Sequence, residues 1–120
     1  MQLVFEELKE KIISLAIDVH KELGPGLLEN SYKQCLAYEL NKSNIGFQLE
    51  VNCPITYKEV KILCGFRIDL LVDDKIIIEL KFVDKIMPIH GPQLLIYLKF
   101  YKKKVGLLIN FNELLLKDGI

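Results

Sequence analysis

Near residue 45 the hydrophobic period changes from helical to extended, and that change sets a pair of helices ahead of a run of strands. Before it, Leu8, Ile12, Leu15 and Val19 recur at three- and four-residue steps with charges between them, which predicts an amphipathic helix over 3–22. Gly24-Pro25-Gly26 ends that helix. A second is predicted from Leu27 to Lys42, with Leu28, Tyr32, Leu36 and Leu40 in one stripe, and Asn44 to Gly46 closes it. Beyond it the pattern is that of strands: Phe47 to Tyr57, a turn at Lys58-Glu59, Lys61 to Val72, and Lys75 to Lys81 with a buried Ile76-Ile77-Ile78 centre. A loop with Pro88, Gly91 and Pro92 leads into a helix predicted from Gly91 to Lys103, apolar at Leu94, Leu95, Leu98 and Tyr101. Val105 to Asn110 and Glu113 to Lys117 read as further strands. The order α-α-β-β-β-α-β-β implies an α/β fold: a mixed sheet, with a three-strand meander and a helix crossover, flanked by helices in a single domain over residues 1–120.

Charge and cysteine content narrow the function classes. With 16 basic and 16 acidic residues the formal net charge is zero, so bulk charge gives a nucleic-acid partner no support. The distribution is uneven, however. No acidic residue occurs from Lys85 to Phe111, a stretch carrying Lys85, Lys99, Lys102, Lys103 and Lys104. It reads either as a phosphate-attracting face or as a solvated helix end whose lysines sit at the negative pole of the helix dipole. Cys35, Cys53 and Cys64 form no C-x-x-C pair, which argues against a zinc site and for reduced thiols in a cytoplasmic protein. Glu6, Glu7, Lys9, Glu10 and Lys11 interrupt any signal-peptide pattern, and no apolar run is long enough to span a membrane.

Two carboxylates stand in otherwise apolar strands: Asp69 among Phe66, Ile68, Leu70 and Leu71, and Glu79 after the three isoleucines. Such charges are costly unless compensated. Lys81, two residues after Glu79, leaves the same face of its strand. Asp69 joins them only if the intervening turn is the right length. A two-residue turn at Asp73-Asp74 pairs Asp69 with Ile78 and turns Glu79 away. A three-residue turn over Asp73, Asp74 and Lys75 pairs Val72 with Ile76 and Asp69 with Glu79, with Asp74 able to take a left-handed backbone. Two facing carboxylates repel unless a cation lies between them, so the longer turn is what metal chemistry requires. A hard ion such as Mg2+ takes oxygen ligands, lowers the pKa of bound water and stabilises charge on a phosphodiester. The bland alternative is an edge ion pair of Glu79 and Lys81 with Asp69 half exposed.

Asp69 followed by Glu79-Leu80-Lys81 resembles the D…(D/E)-x-K signature of the PD-(D/E)XK nuclease superfamily, with Ile68 where the leading proline is usual. Gly26-Leu27-Leu28-Glu29-Asn30-Ser31-Tyr32 resembles the G-x-x-E-x-x-Y signature of the GxxExxY protein family. That resemblance continues through Ala37-Tyr38-Glu39-Leu40, Arg67 to Val72, His90, Gln93 to Leu98 and Val105 to Phe111, roughly residues 4 to 118. It implies a restriction-endonuclease-like core and a Mg2+- or Mn2+-dependent nuclease acting on DNA or RNA. Within it, Glu29, Asp69 and Glu79 are implied as metal ligands with the Leu80 carbonyl, and Lys81 as the catalytic lysine. Gln93 and Tyr97 resemble the Q-x-x-x-Y element of RecB-like nucleases and share one helix face, where they would contact the metal-site carboxylates or, with His90 and Lys99, the nucleic acid. Each position has a plainer role as well: Glu29 at a helix N-terminus, Tyr32 and Tyr97 as core aromatics, His90 as a helix cap. A catalytically inactive module that binds nucleic acid or protein is the competing function. A homodimer, through Val105 to Asn110 or the first helix, is compatible with either.

Overall fold

The computed structural model describes residues 4–113 and 116. Helices α1 (Phe5–Leu23) and α2 (Glu29–Lys42) precede strands β1 (Phe47–Tyr57), β2 (Val60–Val72) and β3 (Ile76–Lys81). Helix α3 (His90–Tyr101) and strand β4 (Val105–Asn110) follow. Among the described residues the sheet has four strands in the order β1-β2-β3-β4. The first three form an antiparallel meander, and α3 carries the chain over so that β4 runs parallel to β3. The last strand expected from the sequence, Glu113 to Lys117, lies largely outside the described residues.

The sheet is the middle layer. One face, with Leu70, Val72, Ile76 and Ile78, packs against α1 and α2 through Leu8, Ile12 and Leu36. The other, with Cys53, Ile68, Leu71 and Ile77, packs against α3 through Leu94, Tyr97 and Leu98. Burial on both faces explains the run Ile76-Ile77-Ile78, which a one-faced strand would alternate with polar residues. Gly106 of β4 lets α3 come close, since a β-carbon there would stand 2.9 Å from the Leu94 side chain. Leu95, expected on the apolar face of α3, instead turns to solvent at 66% exposure; the helix packs the partly buried stripe of Leu94, Tyr97, Leu98 and Tyr101 against the sheet.

The β2–β3 turn has three residues. Val72 pairs with Ile76 and Leu70 with Ile78, and Asp73 and Asp74 both take left-handed backbone, at φ 52° and 54°. Lys103, at the foot of α3, donates to the Asp74 carbonyl (2.8 Å) and carboxylate (3.0 Å), so the turn is tied to the crossover helix.

One row of the sheet breaks the alternation of side chains. Leu49 and Leu70 face α1 and α2, while Val51 and Ile68, two residues away on their strands, face α3. The residues between them are Glu50, left-handed at φ 53°, and Asp69. Glu50 kinks β1 opposite Asp69, and both strands change face at that row. Farther out, β1 and β2 continue without β3 as a two-stranded ribbon that ends at Lys58-Glu59, with Tyr57, Val60 and Leu63 exposed.

Tyr32 of α2 is fully buried and secures the turn before its own helix. Its hydroxyl donates to the Gly24 carbonyl and accepts the Leu27 N–H at 3.0 Å. Gly24 and Gly26 hold positive φ of 72° and 97°, which other residues adopt only with strain. Tyr32→Phe is expected to lower stability by about 1–2 kcal/mol, because it leaves two backbone groups without partners; urea denaturation measures it.

Candidate functional site

The β2–β3 ladder stops at Leu70 and Ile78, and side chains take over where it ends. Asp69 Oδ2 accepts the Leu80 N–H at 2.8 Å, and Glu79 Oε1 accepts the Asp69 N–H at 3.4 Å. The two carboxylates are thus crossed between the strands, each held by the other strand's backbone. Leu80 turns its N–H toward β2, while the next carbonyl, that of Lys81, accepts the Phe111 N–H on the opposite side. Since peptide groups alternate along a strand, the Leu80 carbonyl also faces the β2 side, beside the carboxylates.

This pair is electrostatically unsettled. Glu79 is only 6% exposed. Burial, followed by the Asp69 charge, pushes its carboxyl up to about 8, against a lowering by the Asp69 backbone N–H and Lys81. Lys81 reaches toward α3, its Nζ 3.4 Å from Gln93 Oε1. One turn along, Tyr97 stacks flat on Phe66 of β2, with ring centroids 4.1 Å apart at 5°. Burial, then the charges of Glu79 and Asp69, raise the pKa of the Tyr97 hydroxyl, which places that hydroxyl in the field of the pair. Asp69, Glu79, Leu80, Lys81, Gln93 and Tyr97 therefore belong to one neighbourhood between β2, β3 and α3.

Other residues singled out in the sequence stand elsewhere or serve the fold. Glu29 is exposed at the first position of α2. Among the described residues no group of three or more His, Cys, Asp or Glu side chains is gathered closely enough to hold a metal. His90 starts α3, one residue earlier than the pattern predicted, and its Nδ1 accepts the Met87 N–H at 3.0 Å. Lys99 is exposed, with its amine 5.7 Å from the Phe100 ring.

Two features escaped the sequence pattern. Lys33 of α2 is buried and paired with Glu50 (Nζ–Oε1 2.9 Å), and that pairing holds the Glu50 carboxyl below its usual range. Asn110, completely buried at the end of β4, clasps the chain just past Lys81: Oδ1 accepts the Val83 N–H (3.2 Å) and Nδ2 donates to the Val83 carbonyl (2.8 Å). A lone asparagine closing an apolar strand was the available signal. Asn110→Ala is expected to cost about 2–3 kcal/mol through unpaired buried backbone groups, read as a lower urea midpoint.

Two crossed carboxylates and a strand carbonyl have the donor chemistry that suits a hard divalent cation with water completing its shell, and the Lys81 ammonium lies beside them. Among the described residues no helix is long and apolar enough to cross a membrane. A family model for the PD-(D/E)XK nuclease superfamily matches residues 6–120 of the chain. No curated protein and no solved structure gives a significant match.

Proposed function

Because the chain belongs to the PD-(D/E)XK nuclease superfamily, we propose that it hydrolyses phosphodiester bonds of DNA or RNA with Mg2+ or Mn2+ held by Asp69, Glu79 and the Leu80 carbonyl. The observation that carries this reading is the crossed pair itself. Two carboxylates are brought together where burial raises one of them to about 8, an arrangement that a bound dication would relieve. Such an ion supplies Lewis acidity and a bound water of lowered pKa.

The chain's own groups do the rest. Asp69 and Glu79 are each held by a backbone N–H of the opposite strand, and a bound cation would displace the proton that burial favours on Glu79. Lys81 carries a positive charge beside them, suited to orient an attacking water or to stabilise charge building on a phosphate oxygen. Gln93 holds the Lys81 ammonium against α3, and Tyr97, braced on Phe66, offers a hydroxyl to a substrate backbone. Glu29, exposed at the start of α2, would join the ligand set only by moving toward the pair, and His90 and Lys99 are assigned as contacts to nucleic acid.

The test is cleavage of single- and double-stranded DNA and RNA in Mg2+ or Mn2+, with chelation as control. Chelator-sensitive cleavage is expected. A second reading, an inactive module that binds nucleic acid or protein, draws on the exposed Glu29 and the zero net charge. Absence of saturable Mn2+ binding in calorimetry, together with absence of cleavage, would decide for it. A dimer would let two such sites act on both strands, and light scattering measures that state.

A further inference from the structure

Lys33 and Glu50 lie outside the carboxylate pair, yet they stand where β1 bends. The Lys33 side chain is 7% exposed, and its ammonium has Glu50 Oε1 at 2.9 Å. Burying an ammonium is costly without a partner, so the pair constrains both residues. Glu50 holds a left-handed backbone inside a strand, a conformation a non-glycine residue keeps only when its surroundings impose it. Its row neighbour across the ladder, between the pairs Leu49–Leu70 and Val51–Ile68, is Asp69. At that row β2 also changes face, which leaves Asp69 reaching across to the Leu80 N–H. Arg67, with a guanidinium nitrogen 3.9 Å from Glu50 Oε2, adds a second and more exposed tether.

We propose that Lys33 is a positioning residue: by anchoring Glu50 to α2 it holds the kink in β1, and through that kink it fixes where the Asp69 carboxylate stands. Its consequence for cleavage rests on the nuclease reading, whereas its effect on Asp69 does not.

The experiment compares wild type, Lys33→Met, Lys33→Arg and Glu50→Gln by amide hydrogen exchange in metal-free buffer. The Leu80 amide, bonded to Asp69, is the probe, and the Ile77 amide, in the β3–β4 ladder, is the reference. Lys33→Met removes the buried charge and returns half-exposed Glu50 to water, so it leaves no unpaired buried charge. We expect Leu80 to exchange at least about tenfold faster in Lys33→Met, relative to Ile77, with recovery in Lys33→Arg. Should Lys33→Met fail to fold, Glu50→Gln, which keeps a neutral acceptor for the Lys33 ammonium but removes the ion pair, gives the same selective loss at smaller size. Mn2+ affinity by calorimetry falls in parallel. Leu80 protection unchanged in the folded variants, or lost equally at every amide, overturns the proposal. Selective loss in a wild-type background that neither cleaves nor binds Mn2+ upholds the positioning role and removes the nuclease reading alone.

Discussion

Glu79→Ala is expected to abolish metal-dependent cleavage, by at least about 10^3-fold in kcat/KM, while the protein stays folded. A loss of that size corresponds to about 4 kcal/mol of transition-state stabilisation, in the range a metal clamp contributes. The substitution removes one of only two carboxylates that the described strands bring together. It leaves behind Asp69, which keeps its bond to the Leu80 N–H, and Lys81, which keeps Gln93. Folding is spared because the lost group is a charge that burial and Asp69 already disfavour. Cleavage rates and circular dichroism on the same preparation test both halves. Wild-type rates in a folded variant would remove Glu79 from the mechanism.

The second large effect concerns pH in the absence of metal. The Glu79 carboxyl, near 4.5 when unfolded, is pushed up to about 8 in the fold. The folded state therefore binds a proton more tightly than the unfolded state. The stability that protonated Glu79 contributes is fully present below about pH 4.5 and is lost as pH rises through about 8. At about 1.4 kcal/mol per unit the loss across that window is on the order of 5 kcal/mol. In chelator, the urea midpoint should fall between pH 5 and 8.5 for wild type and stay nearly level for Glu79→Gln. Saturating Mg2+ should flatten the wild-type curve, since a cation takes the proton's place. Parallel curves for wild type and Glu79→Gln would show that Glu79 titrates normally.

The elements were readable because their signals are local. Periodicity located β1 and β4 to the residue, and the demand that Asp69 face Glu79 singled out the three-residue turn that the structure contains. Lys81 followed from its i, i+2 spacing to Glu79, whereas Gln93 and Tyr97 came from the resemblance to a Q-x-x-x-Y element, whose i, i+4 spacing puts them on one helix face; all three lie in one neighbourhood. What stayed hidden depends on contacts between distant segments. A left-handed residue in a strand is expected at glycine, so nothing marked Glu50. Lys33 sits among polar residues of α2, Asn30, Ser31 and Gln34, and only the packing of that helix on β1 buries it. The first-turn position of Glu29 was legible, but its distance from the sheet carboxylates depends on how α2 is docked, which no local pattern encodes.

The outer ribbon of β1 and β2 has a consequence of a different kind. Past Phe66 its two strands pair, among the described residues, only with each other, beyond the span that β3 covers. Such a limb can be lengthened, shortened or redecorated at its tip with little penalty to the core. The reach of the tip can then vary while the carboxylate-bearing strand pair stays the same, a modularity built into the plan of the molecule.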